Sequence, residues 1–250
     1  MADTYTVKAF ENRETLEEAL YTLLKDLFQA ATVEEPYAVM LSGGSTPAAL
    51  YERIAQSGVR AGDGLYILLS DERLVPSEST DANLTMVKPM AEAIGLPADR
   101  LIAVQHDRPG GEAAREYHDE LTRLNEKGVS RRLALLGVGG DGHTASLFAP
   151  EEAKRAHAVL ADQVPRHAGF ERVTATPEEL LSYRRIVFFA AGEKKRPILE
   201  SLLRRPEAYP AGIIARRFGS AELWTDQRLD AGGPGGSASP GAGTPSGSGA

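Results

Sequence analysis

The chain reads as an α/β protein: a mostly parallel sheet with helices on both faces. Two observations carry that reading. Short apolar runs alternate with longer stretches of helical period through most of the sequence. Several of those runs end in glycine, hydroxyl or charged residues, the composition expected where ligands bind beyond the carboxyl ends of parallel strands.

In chain order, residues 4–10 are expected as a first strand. Over residues 16–31, Leu16, Ala19, Leu20, Leu23, Leu24, Leu27 and Phe28 repeat with a helical period. Residues 37–41 are an apolar run ending at Ser42-Gly43-Gly44-Ser45-Thr46-Pro47, with a helix expected over 48–56. Residues 65–69 form another strand, which meets Ser70-Asp71-Glu72-Arg73. A helix over about 82–94, a weak strand over 101–104 and a helix over 112–126 follow. The strand 133–138 enters Gly137-Val138-Gly139-Gly140-Asp141-Gly142-His143. A last strand, 186–191, leads through Gly192 into a helix over 193–203. No internal repeat is visible. Residues 231–250 hold only Gly, Ala, Ser, Pro and Thr. They have nothing to bury and are expected as a disordered tail. That leaves 1–230 as a single α/β domain.

Composition removes several function classes. A net charge of −7 argues against non-specific nucleic-acid binding, which needs a basic face, but it permits a small anionic ligand held by a few placed cations. No apolar run approaches a membrane span, the densest being Ile-Val-Phe-Phe-Ala-Ala at 186–191, so no membrane partner is expected. The first residues lack a secretory pattern, and the sequence contains no cysteine. Both fit a cytoplasmic protein, and the second excludes thiolate nucleophiles and cysteine metal sites. No HExxH or similar ligand spacing occurs, so no built-in metal is expected. The assembly expected is a monomer or a small homo-oligomer.

The strand ends supply the chemistry. In Ser42–Thr46, glycines free backbone N–H groups and hydroxyls add donors. A helix following at Pro47 would favour an anion at its N-terminus. The loop is either a phosphate cradle or a simple helix cap. It lacks the GxxxxGK[ST] pattern of a triphosphate site. Asp71 can orient a hydroxyl or a water, and Arg73 can hold an oxyanion, unless the two only form a surface ion pair. Asp141 and His143 are the sharpest pair: an imidazole suited to taking a proton near neutral pH, and a carboxylate able to fix its tautomer. Lys194 stands at an expected helix N-terminus, where a cation is unfavourable unless it faces an anion. Arg172 lies in a short strand-like segment. His106, His118, His157 and His167 lie outside the glycine turns and read as surface or structural groups. Gly137-x-Gly139-x-x-Gly142, with Asp162 about 20 residues later, formally fits a dinucleotide fingerprint. Asp141 would then sit against the pyrophosphate, and Pro150 follows too soon for a long helix.

Taken in order, LSGGSTP (41–47), SDERLVP with TDAN (70–76, 80–83), LLGVGGDGHTASLF (135–148), ERVTATP (171–177), GEKK (192–195), and YPAGII with LWTDQ (209–214, 223–227) resemble the glucosamine-6-phosphate isomerase/6-phosphogluconolactonase family. The resemblance favours the lactonase branch, since the deaminase-like DGHIAFNEP pattern is absent. It covers nearly all of residues 1–230. The chain departs at Ala82, where the family often has serine, and at Ala149. The resemblance implies a modified Rossmann-like fold and hydrolysis of 6-phospho-D-glucono-1,5-lactone, the second step of the oxidative pentose phosphate pathway. The ring opening of such a lactone needs no cofactor. His143 would activate a water, oriented by Asp141, with Asp71 positioning sugar or water. Ser42, Gly43, Gly44, Ser45, Thr46, Arg73, Arg172 and Lys194 would hold the phosphate. The other readings are glucosamine-6-phosphate deamination with isomerisation, and a non-catalytic sugar-phosphate-binding module.

Overall fold

The computed structural model describes residues 5–230. The expectations for residues 1–4 and for the 231–250 tail lie outside the described residues.

The elements in chain order are β1 (Tyr5–Ala9), α1 (Arg13–Ala30), β2 (Tyr37–Leu41), α2 (Ser45–Gln56), β3 (Leu65–Leu69), β4 (Asp71–Arg73) and α3 (Leu84–Ala93). Next come β5 (Leu101–Ile102), α4 (Gly110–Glu126), β6 (Ser130–Gly137), α5 (Pro150–Lys154), β7 (Ala161–His167) and β8 (Phe170–Ala175). The last are α6 (Pro177–Leu181), β9 (Ile186–Ala190), α7 (Arg196–Arg204), α8 (Pro210–Phe218) and β10 (Ala221–Thr225).

The main sheet has seven strands in the order β1-β10-β9-β6-β2-β3-β5, and every pairing is parallel. Both faces are covered, which is why the strand sequences are apolar at successive positions. Along β2, Tyr37, Val39 and Leu41 pack on one side with Leu16, Leu20, Leu24 and Phe28 of α1. Ala38 and Met40 pack on the other side with Tyr117 and Leu121 of α4. Helix α1 starts earlier than its apolar period implies. Asn12 accepts from the Thr15 N–H and Thr15 Oγ1 accepts from the Asn12 N–H, a capping box that starts the helix at Arg13, three residues ahead of Leu16.

A separate three-stranded antiparallel sheet, β4-β8-β7, was not foreseen. Its strands carry little apolar alternation: β4 is Asp-Glu-Arg, and β7 contains Pro165 with several charged residues. Instead of forming a loop after β3, the chain passes directly into this second sheet. The expected helix over 193–203 is also divided. Residues Glu193–Lys195 form a single 3₁₀ turn, and α7 begins only at Arg196, with Pro197 in its first turn. None of the described helices is long and apolar enough to cross a membrane.

Strand order reverses between β2 and β6. The chain leaves β2 toward β3 on one side, while β6 and β9 extend the sheet on the other. A crevice at that position, beyond the strands' carboxyl ends, is where such sheets bind ligands.

Candidate active site

That crevice is a cavity of about 510 Å³ lined by segments far apart in sequence: Ser42, Gly43, Gly44 and Thr46 after β2; Asp71 and Arg73 on β4; Gly137–Asp141 and His143 after β6; Arg172 on β8; and Lys195 after β9. Its size suits one small ligand.

The loop after β6 holds the proposed base. His143 Nδ1 lies 2.5 Å from Asp141 Oδ1, and the His143 N–H donates to the same oxygen at 3.2 Å. A carboxylate only accepts, so Nδ1 carries the proton and Nε2 presents its lone pair. Burial works to raise the Asp141 carboxyl, but the adjacent imidazole and backbone hydrogen bonds hold it below its ordinary value. Asp141 therefore remains ionised through the neutral range. Gly139 is required by close approach, since a Cβ there would overlap the His143 ring and the Asp141 carboxylate. Gly139→Ala should accordingly lower turnover by tenfold or more, on the order of the ~1–3 kcal/mol that overpacking costs. The same variant should keep a near-normal melting temperature, because only two mobile side chains are displaced.

The residues after His143 act as struts. Thr144 Oγ1 donates to the Gly137 carbonyl at 3.0 Å. Ser146 Oγ donates to Asp71 Oδ2 at 2.6 Å, and the Ser146 N–H donates to Thr174 Oγ1 at 3.1 Å. Ala145, between them, adopts a φ of 48°, an uncommon conformation for a residue with a side chain. The loop is thus tied to β4 and β8 at once. No helix opens at Gly142, as a dinucleotide fingerprint would need; the first helix after the loop begins at Pro150.

Asp71 is buried, and both its oxygens are engaged, since Ser70 Oγ donates to Oδ1 at 2.8 Å and Ser146 to Oδ2. Its negative charge supports Arg172. Its fully buried neighbour Glu72 accepts from the N–H groups of Asn83 (2.7 Å) and Leu84 (2.8 Å), so it caps α3.

The cations line the walls. Arg73 and Arg172 are paired directly across the β4–β8 ladder. Like charges at such positions repel unless an anion lies between them. The Nε of each is buried and has no partner among the described residues. Burial pushes the Arg172 guanidinium below its ordinary value, Asp71 opposes that, and Arg73 adds to it. Arg73 Nη1 donates to the Asp81 carbonyl at 3.2 Å and pairs with its carboxylate at 3.4 Å. Arg172 has no ion-pair partner among the described residues, and both arginines line the cavity, where they can take an anionic ligand.

The Ser42–Thr46 loop has the form its glycines imply. Gly44 caps α2 at a φ of 120°, and a Cβ at Gly43 would overlap the Asn83 side chain. Ser45 opens α2, and Thr46 and Pro47 line the cavity beside it. Ser42 Oγ accepts from the Gly137 N–H at 3.1 Å, which leaves its own O–H as a donor. The N–H groups of Gly139 and Gly142 are also taken, by the carbonyls of His143 (2.9 Å) and Gly139 (3.1 Å). These three glycines therefore offer no oxyanion donor.

Two placements differ from the sequence reading. Lys194 is exposed on its 3₁₀ turn and does not line the cavity; Lys195 does, donating to the Val138 carbonyl at 2.6 Å. Burial pushes the Lys195 ammonium down and Asp141 pulls it back up. The turn is set by Gly192, at a φ of 92°, whose N–H donates to the Asp226 carboxylate at 2.9 and 3.1 Å. That contact gives a role to Asp226, the first residue after β10. The pair of adjacent lysines in GEKK was the available signal, but one residue of helical phase decides which of them faces inward. His167, read as a surface or structural group, lines the cavity together with Ala168.

A parallel α/β sheet with an Asp–His pair and facing arginines in its switch-point crevice defines a class: enzymes that act on small anionic metabolites by proton transfer. The family model described as glucosamine-6-phosphate isomerases/6-phosphogluconolactonase matches residues 11–224. The chain belongs to that family. It is 32% identical over 205 residues to a 6-phosphogluconolactonase of Nostoc sp., covering 78% of this chain and 85% of the relative. It is 30% identical over 196 residues to one of Chlamydia pneumoniae, covering 75% and 74%. The fold is similar to the crystal structure of a 6-phosphogluconolactonase from Shewanella baltica, with a TM-score of 0.73, 24% identity and coverage of 88% and 97%.

Proposed function

We propose that this protein hydrolyses 6-phospho-D-glucono-1,5-lactone to 6-phosphogluconate. The observation that carries the reading is the single cavity in which an oriented imidazole and three cationic side chains, Arg73, Arg172 and Lys195, converge. An anion-binding wall beside a general base suits a phosphorylated, activated ester.

The phosphate docks against Arg172, Arg73, Lys195 and the Gly43–Gly44 turn at the start of α2, where the helix N-terminus favours negative charge. That anchor holds the lactone carbonyl relative to His143. Nε2 of His143 takes a proton from water as the water attacks the carbonyl carbon. The C–O bond of the ring then breaks, and the imidazolium returns its proton to the departing ring oxygen. Asp141 holds the imidazole in the required tautomer and stabilises its charged form. Asp71 lines the cavity, ties the His143 loop to β4 through Ser146, and its role is to position the sugar or the water. No resident metal or cofactor enters this scheme. A cytoplasmic location and a monomeric or small homo-oligomeric state accompany the proposal.

The direct test is lactone hydrolysis, measured after subtraction of the spontaneous reaction. Turnover of the phosphorylated lactone well above that of glucosamine 6-phosphate deamination is expected; ammonia release from the amino sugar would favour the deaminase alternative. The lysines provide a second test. Lys195→Ala should raise KM by about tenfold, the size of one lost charge-assisted hydrogen bond. Lys194→Ala should leave KM unchanged. The reverse order would remove Lys195 from the phosphate site.

A further inference from the structure

We infer that His167 is a substrate-binding residue, its imidazole donating a hydrogen bond to the phosphate end of the substrate from the turn over the pocket. The inference rests on the phosphorylated-lactone reading above.

His167 pairs with Phe170 at the tip of the β7–β8 hairpin. The two residues between them, Ala168 and Gly169, have φ values of 49° and 89°. A two-residue turn with both central residues in the left-handed region matches strand twist and gives a stiff connection. The turn thus fixes where its flanking residues point, and His167 and Ala168 both line the cavity.

The imidazole is also anchored. It stacks on Phe148 with ring centroids 3.7 Å apart and planes 16° from parallel. The same Phe148 ring lies 4.8 Å from the His143 ring, and the Arg172 guanidinium carbon is 5.4 Å from it. Across the hairpin, Phe170 lies 5.1 Å from the Arg73 guanidinium carbon and 5.7 Å from that of Arg172. Two aromatic rings therefore clamp the hairpin tip onto the arginine pair. Stacking occupies one face of the His167 ring and leaves its nitrogens at the ring edge, while the same Phe148 ring lies against the Arg172 guanidinium proposed to receive the phosphate. A ring that only covered the pocket would need no nitrogens, so phenylalanine separates the two roles.

The test is steady-state kinetics of His167→Ala, His167→Phe and His167→Gln on 6-phosphogluconolactone and on the unphosphorylated glucono-1,5-lactone. For the phosphorylated lactone, His167→Ala and His167→Phe should each raise KM about tenfold with kcat within about twofold, as for one lost hydrogen bond to a charged group. His167→Gln, which keeps an N–H donor, should lose less. Efficiency on the unphosphorylated lactone should be unchanged in all three variants. A wild-type KM in His167→Phe would overturn the inference in favour of stacking alone, as would equal losses on both lactones. If His167→Ala proves unstable, His167→Phe retains the stack and carries the test. Wild-type protein that does not hydrolyse the phosphorylated lactone would sink the functional reading, and this inference with it. Normal turnover with an unmoved KM in the variants would sink only the inference.

Discussion

Replacing His143 with alanine should lower kcat by about 10²–10⁴-fold, the range that a positioned general base contributes. KM should change little, because the phosphate contacts come from other strand ends. The structure makes this a clean substitution. His143 is partly exposed, its ring bonds only to Asp141, and the loop that carries it is held by Thr144 and Ser146. The fold should therefore survive, with a near-normal melting temperature. Rate constants from single-turnover and steady-state hydrolysis, corrected for the spontaneous reaction, would measure the effect. Turnover within a few-fold of wild type would remove His143 from the chemistry and direct attention to other bases on the cavity wall.

Arg172→Ala should give the second largest change, a KM for the phosphorylated lactone raised by about 10–100-fold, consistent with ~1.5–3 kcal/mol for hydrogen bonds to a charged group. Arg172 is buried, lies opposite Arg73, and sits against both Phe148 and Phe170. Truncating it removes a proposed ligand for the phosphate and the positive charge that Asp71 favours, so kcat should also fall modestly. Arg172→Lys restores charge without the planar fork and should recover only part of the loss. Binding of 6-phosphogluconate, followed by calorimetry, should weaken in parallel. A variant that binds the phosphorylated product as tightly as wild type would show that the anion lies elsewhere.

The parallel core was legible because its physics is local and repetitive. Leu16, Leu20, Leu24 and Phe28 announce a helix face, and the apolar runs at β2, β3, β6 and β9 announce strands buried on both sides. The glycine-rich turns could be read too, since close approach and positive φ demand glycine at Gly139 and Gly44. The small antiparallel sheet was not readable. Its strand β4 consists of Asp71, Glu72 and Arg73, of which Asp71 and Arg73 line the cavity and Glu72 caps α3 rather than building a core, so hydrophobic periodicity says nothing there. The choice between Lys194 and Lys195 depended on a 3₁₀ turn interposed between Gly192 and α7. That the exposed His167 also lines the cavity was not readable, because its position depends on a hairpin whose strands show no pattern and on a stacking partner 19 positions away in sequence.

The pairing of β1 with β10 has a consequence for how the molecule comes into being. During synthesis the first strand must wait, with neither edge paired, until more than 200 further residues have emerged. The carboxylate that sets the Lys195 turn, Asp226, arrives at the same late moment. Pairings so distant in sequence fold slowly and leave nascent intermediates exposed. A late folding step that waits on β10 follows from that architecture.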